Sequence, residues 1–262
     1  MTETDASAPP ELTAIRPDGS RRPVRRPFAP EVPVALEYNG LSYAVMMASP
    51  TDLEDFVSGF ALTEGLASGI GDVGGIALAE TDKGWIARTT IASLALEQLQ
   101  ERVRSRVAES SCGLCGIDNL DAIAKPLPRV ADHAPIAPAA IFIALGALRD
   151  HQPGNRATGG MHAAAFIDPR GAILCVREDV GRHNALDKLI GALARAGTPI
   201  ADGFILSTAR CSYEIVEKAV RAGATTLATI SVPTSMAAAR AQAAGLSLFA
   251  LARNDEILCV VP

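Results

Sequence analysis

The chain has 262 residues, a formal net charge of −5 and only 4% aromatic residues. This length allows one or two domains with a large core. The negative charge and the scarcity of aromatic side chains argue against nucleic-acid binding, which uses basic fields and base-stacking surfaces. No uncharged apolar run is long enough to span a bilayer, so we expect no membrane association.

The beginning of the sequence points to a cytoplasmic protein with reduced thiols. Residues Met1–Asp5 are polar and acidic, unlike a secretory signal peptide. The arginine pairs at 21–22 and 25–26 superficially suggest twin-arginine export, but no apolar segment follows them. Residues 1–30 contain six prolines among mixed charges and are predicted to be disordered or extended.

Residues 31–108 are predicted to form a smaller N-terminal α+β subdomain. Alternating apolar residues on both sides of Asn39-Gly40 predict a β-hairpin with a two-residue turn. A helix should follow, opened by a capping box from Thr51 to Glu54 and ended near Gly65. A second hairpin and a charged helix over 94–107 complete this part. The predicted buried face of the first helix consists of Leu53, Phe56, Val57 and Phe60.

Residues 126–262 are predicted to form an α/β domain. Short apolar strands are predicted at 163–167, 173–176, 204–206, 226–230 and 246–251, and helices at 184–195, 213–221 and 235–244. This alternation is typical of β-α-β units, which form a largely parallel sheet covered by helices on both faces.

A C-x-x-C pair, Cys112 and Cys115, is flanked by Gly113 and Gly116 in a segment without amphipathic pattern. Because glycine permits close backbone approach, this segment can present its thiols to a partner. A short helix predicted after it would place Cys115 near a helix N-terminus, which favours the thiolate. We predict a mobile loop over residues 109–125.

Other roles of this pair stay open at this point. A zinc site would need further ligands, and His162 is the histidine in the most motif-like context. A thioredoxin-like motif would follow a strand, whereas a charged helix precedes this one, and a structural disulfide would need a secreted protein. Cys175, Cys211 and Cys259 are scattered in apolar runs. Cys211, beside Arg210, is either a second reactive thiol or a small apolar residue.

Three polar segments are predicted beyond the carboxyl ends of strands, where α/β sheets bind ligands. They are Ser207–Arg210, Ser231–Ser235 and Arg253–Asp255. The middle segment places hydroxyls and a proline at a helix N-terminus, which suits a phosphate, and the outer two each add an arginine. Ordinary helix capping is the alternative role of the hydroxyls.

Two further clusters combine polar residues with a histidine, namely Thr158–Ala164 with His162 and Glu178–Lys188 with His183. A structural role for either histidine competes with a functional one. In the second cluster the structural alternative is that Asn184 or Asp179 caps the helix and that Asp187 and Lys188 are solvated, whereas the density of polar residues at a predicted sheet edge favours a site.

Together these segments resemble the formate dehydrogenase accessory sulfurtransferase family (FdhD). The matching pieces are Ser111–Gly116, Thr158–Ala164, Glu178–Lys188, Tyr213–Ala219, Ser231–Ser235, Asn39-Gly40 and Ser58–Gly65. The resemblance covers nearly everything after about residue 30. The Gly-Gly-Met-His and Glu-Asp-Val-Gly-Arg-His-Asn motifs are highly specific in combination.

The resemblance implies a sulfur carrier that accepts persulfide sulfur from a cysteine desulfurase on Cys112, with Cys115 assisting. The sulfur would pass to molybdenum bis(molybdopterin guanine dinucleotide), bound as a substrate, for the catalytic subunit of formate dehydrogenase. GDP is the expected surrogate ligand, and no resident metal is implied. The family's cofactor-binding stretch maps to Leu251, Ala252, Arg253, Asn254, Asp255 and Glu256.

The family fold resembles that of cytidine deaminases, a three-layer α/β/α sandwich with a mixed, mostly parallel sheet. The chain departs from the family pattern at two places. Ala209 replaces a glycine, so its Cβ predicts a looser approach of the backbone to a ligand. Asn254, Asp255 and Glu256 follow Arg253 where a glycine and a second arginine are expected, and the two acids oppose a phosphate.

Two other function classes remain as alternatives. A zinc-dependent deaminase-like hydrolase would use Cys112, Cys115 and His162, but the glutamate that deaminases need two residues after the histidine is Ala164 here. A non-catalytic chaperone would hold the cofactor without touching its sulfur. The sequence leaves the oligomeric state open, a homodimer included.

Overall fold

A computed structural model of the protein describes residues 10–95, 97–101 and 125–262. The strands are β1 (Glu11–Ile15), β2 (Arg21–Arg25), β3 (Val32–Tyr38), β4 (Leu41–Ala48), β5 (Ala77–Thr81), β6 (Gly84–Thr89), β7 (His162–Ile167), β8 (Ile173–Asp179), β9 (Phe204–Ser207), β10 (Thr226–Thr229), β11 (Ser247–Ala250) and β12 (Leu258–Val261). The α-helices that lie wholly within the described residues are α1 (Leu53–Thr63), α2 (Pro138–Leu148), α3 (Pro153–Thr158), α4 (Arg182–Arg195), α5 (Tyr213–Arg221) and α6 (Ser235–Ala244).

The C-x-x-C pair, Cys112 and Cys115, lies outside the described residues, as does nearly all of the loop predicted over 109–125. Of the helix predicted over 94–107, residues 94, 95 and 97–101 are described; 97–101 are helical, whereas 94 and 95 are not, so the helix does not begin at residue 94 as predicted. Within the described part of the chain, no helix is long and apolar enough to cross a membrane.

Strands β1 and β2 form an exposed antiparallel hairpin at the beginning of the described chain. The sequence predicted a disordered or extended segment here and did not predict the pairing of these two strands. A four-stranded sheet follows, in the order β4-β3-β6-β5. Its β3–β4 turn is the predicted Asn39-Gly40, both at positive φ, and the predicted second hairpin is β5–β6.

Helix α1 packs its predicted apolar face, Leu53, Phe56, Val57 and Phe60, into the core that it shares with β3 and β4. The prediction of a capping box at the start of α1 is wrong. The N-cap is Asp52, with a left-handed φ of 52° and no side-chain cap hydrogen bond. Glu54 instead forms an ion pair with Arg195 of α4, so it is not available to complete the box.

The second, six-stranded sheet has the order β12-β11-β10-β9-β7-β8. Strands β9, β10 and β11 pair in parallel, and the other three pairings are antiparallel. The sheet is therefore mixed, as predicted. The prediction that it is mostly parallel is wrong, because three of its five strand pairings are antiparallel. A parallel pair needs a long crossover, whereas β7 and β8 are joined by the turn around Asp168–Gly171.

Helices cover both faces of this sheet. Helix α2 packs with Ile167, Phe204 and Phe249 on one face. Helices α4, α5 and α6 pack with Phe166, Ile205 and other residues on the opposite face. This arrangement agrees with the predicted three-layer α/β/α sandwich, while the likeness to cytidine deaminases stays a prediction.

Helices α1 and α4 cross at unusually short range because each contributes a glycine to the contact. A Cβ atom on Gly59 would stand 1.7 Å from the carbonyl oxygen of Asp187, and one on Gly191 would stand 1.9 Å from that of Asp55. The Asp55 carboxylate also binds the guanidinium of Arg177, at 2.8 Å. The close crossing fixes the N-terminal sheet and its helix against the six-stranded sheet.

Candidate functional site at the carboxyl edge of the sheet

The three polar segments predicted beyond the strand ends lie together, as expected. The N–H of Ile230 donates to the carbonyl of Ser207 at 3.2 Å, which joins the ends of β9 and β10. The N–H of Leu251 donates to the carbonyl of Ser231 at 3.2 Å, which joins the ends of β10 and β11. The loops after three successive parallel strands therefore form one continuous edge.

His162 lies at the same edge because β7 runs antiparallel to β9 and begins where β9 ends. The N–H of Ala163 donates to Oγ1 of Thr208 at 2.8 Å, and His162 Nδ1 lies 3.3 Å from that hydroxyl oxygen. Burial lowers the pKa of His162, and the positive charges of Arg182 and Arg210 lower it further. The imidazole is therefore neutral near pH 7.

The Glu-Asp-Val-Gly-Arg-His-Asn motif reaches this edge at the end of β8, where Asp179 pairs with His162. Asp179 and Lys188 are fully buried, with Oδ2 and Nζ 2.6 Å apart. Asp179 also accepts bonds from the Ser49 and Gly181 N–H groups, at 3.0 and 2.7 Å. Lys188 is thus part of a buried ion pair, and the alternative of a solvated side chain is wrong.

Neither Asn184 nor Asp179 is the N-cap residue of α4. That residue is Gly181, and no side chain forms a cap hydrogen bond there. Asn184 instead donates through Nδ2 to the carbonyl of Met47 at 2.8 Å and to Asp179 at 3.0 Å. These bonds tie the start of α4 to the end of β4. The motif therefore has a positioning role in addition to any contact with a ligand.

Asp187 is buried as well, contrary to the alternative that it is solvated. It accepts bonds from Thr63 Oγ1 at 2.7 Å and from Lys218 Nζ at 3.0 Å. Burial opposes the charge of Lys218, but Asp187 and Glu64 beside it raise the pKa of this lysine. Asp187 thereby links α1, α4 and α5 below the site.

His183 faces Glu214 across the first turns of α4 and α5, with Nε2 and Oε2 3.2 Å apart. This contact lowers the pKa of Glu214 although burial raises it. The neighbouring Arg182 has a buried Nε that has no hydrogen-bond partner among the described residues. Glu214 was not singled out as the partner of His183, although it lies within a segment that resembles the family.

The predicted cofactor-binding stretch begins directly after β11. Leu251 has a left-handed φ of 46°, and the N–H of Ala252 donates to the carbonyl of Thr229 at 3.0 Å. The N–H of Arg253 donates to the carbonyl of Glu256 at 3.0 Å, which closes a turn. All four residues from Arg253 to Glu256 are exposed at this edge. Their role in holding a cofactor stays a prediction.

Two residues of the edge have structural roles. Thr234 caps α6, since its Oγ1 accepts the N–H of Ala237 at 3.2 Å. The capping alternative therefore holds for this hydroxyl. Ala209 is fully buried in the core, so its methyl group does not face a ligand at this edge.

The three described cysteines differ in exposure. Cys211 is fully buried in the core, and burial raises its pKa to about 11. Of its two predicted roles, the small apolar one fits this environment. Cys175 is half-buried, with a pKa also raised by burial, and Cys259 is exposed. No group of three or more metal-ligating residues occurs within the described ranges, which do not include Cys112 and Cys115.

Comparison with known proteins identifies the family. The chain matches the FdhD/NarQ family over residues 29–260. It belongs to that family. This FdhD/NarQ protein is 44% identical over 228 residues to the sulfur carrier protein FdhD of Bordetella petrii, covering 87% of this chain and 82% of the relative. It is 44% identical over 230 residues to that of Variovorax paradoxus, covering 88% and 83%. The resemblance predicted from the motifs is confirmed.

The fold of this FdhD/NarQ protein is shared with a solved structure. The crystal structure of a candidate formate dehydrogenase accessory protein from Desulfotalea psychrophila superposes with a TM-score of 0.76. The sequence identity is 22%, and the match covers 97% of this chain and 96% of the other. At this identity the match establishes a common fold.

Proposed function

We propose that this FdhD/NarQ protein is a sulfur carrier that serves the maturation of formate dehydrogenase. Cys112 accepts sulfur from a cysteine desulfurase, with Cys115 assisting, and passes it to molybdenum bis(molybdopterin guanine dinucleotide), the substrate. Family membership and the names of the relatives support the sulfur carrier role. The observation that carries the proposal is the convergence of the His162, Asp179–Asn184 and Ser231–Ser235 motifs on one sheet edge.

The first step is a thiol–persulfide exchange that needs no external oxidant. The Cys112 thiolate attacks the terminal sulfur of the desulfurase persulfide, a new S–S bond forms on Cys112, and the desulfurase cysteine leaves as a thiolate. Persulfidation of this kind is reversible, as a carrier requires. The glycines at 113 and 116 suit a segment that must enter two different pockets in turn.

The charges at the sheet edge support a phosphate-bearing substrate. Arg182 and Arg210 lie close enough to His162 to lower its pKa, and Arg253 is exposed on the adjoining loop. Guanidinium groups bind phosphate oxygens through paired hydrogen bonds. Asp255 and Glu256, also exposed, act against this attraction.

GDP binding is the experiment that tests the substrate assignment. We expect saturable binding of GDP to the full chain, tighter than that of ADP because a guanine pocket recognises a specific base edge. Arg253→Ala should weaken GDP binding by at most about 3 kcal/mol, the range for a charge-assisted hydrogen bond. Affinity should also fall as salt rises, because the attraction is partly screened. Titration calorimetry measures all three effects.

The matched control is Arg170→Ala, at an exposed position in the turn between β7 and β8. This turn lies at the opposite edge of the sheet, so we expect an unchanged affinity for GDP. Absence of GDP binding, or equal affinities for Arg253→Ala and the unmodified protein, would show that the cofactor assignment is wrong.

A further inference from the structure

The β1–β2 hairpin is strongly basic, although the chain as a whole is acidic. Residues 10–28 contain five arginines and two carboxylates, against a net charge of −5 for the whole chain. All of these residues precede the family match, which begins at residue 29. The positive charge of the hairpin therefore lies outside the part of the chain that matches the family.

The arginines of the hairpin are exposed and share their surface with apolar side chains. The register pairs Ile15 with Arg21 and Glu11 with Arg25, which places these four residues on one face. Ile15 is 64% exposed, and Phe28, just after the hairpin, is 69% exposed. Arginine and aromatic residues are enriched in protein–protein interfaces, where they form most of the strong contacts.

The base of the hairpin lies against the glycines of the Thr-Gly-Gly-Met-His motif. Gly159 has a φ of 73°, and a Cβ atom there would stand 2.5 Å from Nη2 of Arg26. A Cβ atom on Gly160 would stand 3.4 Å from that of Ala29. Because the chain reaches His162 two residues later, the hairpin adjoins the site edge.

We propose that the hairpin, together with Phe28, is a docking surface for a partner protein that carries an acidic patch. Guanidinium groups bind carboxylates through paired hydrogen bonds, and the apolar side chains between them add contact area. The exposed apolar side chains Ile15 and Phe28 favour a protein partner, whose interface buries apolar and aromatic groups, over nucleic acid, whose phosphate backbone is bound mainly through charge. A partner docked here sits beside the site edge. This inference does not depend on sulfur transfer.

The test is binding of a fluorescein-labelled glutamate-rich peptide to the full chain, followed by fluorescence anisotropy. The variant Arg21→Glu/Arg25→Glu reverses two exposed charges, and we expect it to weaken binding about tenfold or more. The control Arg129→Glu/Arg170→Glu makes the same change in net charge at exposed positions outside the hairpin. It should change affinity by less than about twofold, because screening limits the reach of surface charges.

A second variant, Arg21→Gln/Arg25→Gln, removes the charges without reversing them and should give an intermediate loss. Equal losses in the hairpin and control variants would overturn the proposal, as would full affinity in both hairpin variants. Tighter binding of phosphatidylserine vesicles or of a single-stranded oligonucleotide through Arg21 and Arg25 would also overturn it. Unchanged thermal unfolding of the variants confirms that the fold is retained.

Discussion

Replacing Gly191 by alanine is expected to lower the free energy of unfolding by about 3 kcal/mol, the upper part of the range for overpacking. The added Cβ would stand 1.9 Å from the carbonyl oxygen of Asp55 and 2.7 Å from the backbone nitrogen of Gly59. Both neighbours are backbone atoms, so α1 and α4 must move apart. The higher helix propensity of alanine, worth about 1 kcal/mol, cannot offset this clash.

Gly146→Ala is the matched control for this substitution. Gly146 lies within helix α2, and a Cβ atom there would have no heavy atom within 4 Å. We expect this variant to be stabilised by up to about 1 kcal/mol, because alanine loses less conformational entropy than glycine. Urea unfolding of both variants should therefore give changes of opposite sign. A stabilised Gly191→Ala would show that the helices do not cross as described.

Lys188→Met is expected to lower the free energy of unfolding by about 3–5 kcal/mol, the usual cost of removing one partner of a buried ion pair. The substitution keeps the length of the side chain but leaves the carboxylate of Asp179 uncompensated at a fully buried position. It also removes the bond from Lys188 Nζ to the carbonyl of Ser49, at 2.9 Å. Equilibrium unfolding in urea measures the loss.

Lys83→Met serves as the control, since Lys83 is exposed in the β5–β6 turn and should change stability by less than about 0.5 kcal/mol. Asp179→Asn/Lys188→Met then tests whether the two side chains act as a pair. The amide keeps an oxygen acceptor but carries no charge, so the double variant should be more stable than Lys188→Met alone. Additive losses would contradict a direct interaction between Asp179 and Lys188.

Local patterns in the sequence were sufficient for most of the secondary structure. The alternation around Asn39-Gly40 predicted β3 and β4, and the helical periods predicted α5 and α6 at their observed bounds. Helix α2 was missed because it is apolar almost throughout and shows no amphipathic period. The strand pairing could not be predicted either, because β7 pairs with β9, from which β8 and α4 separate it in sequence.

The meeting of the three polar segments was predictable, but the hydrogen bonding at that edge was not. Strands β9, β10 and β11 pair in parallel, so the segments that follow them lie at one edge of the sheet, as predicted. The burial of Asp187 was missed because its partners, Thr63 and Lys218, are separated from it by 124 and 31 residues. Lys188 was missed for a similar reason, since part of its environment comes from Ser49. A charged residue on a helix is predicted to be solvated unless such distant partners are known.

The measurement that tests sulfur transfer most directly is labelling of the protein by a cysteine desulfurase supplied with radioactive cysteine. The unmodified protein and Cys259→Ala should acquire persulfide label that a thiol reductant removes, whereas Cys112→Ala should acquire none. Cys259 is a suitable control because its side chain is exposed, so loss of a thiol alone cannot explain the difference. Equal labelling of Cys112→Ala and Cys259→Ala would contradict the role of Cys112 as the sulfur carrier.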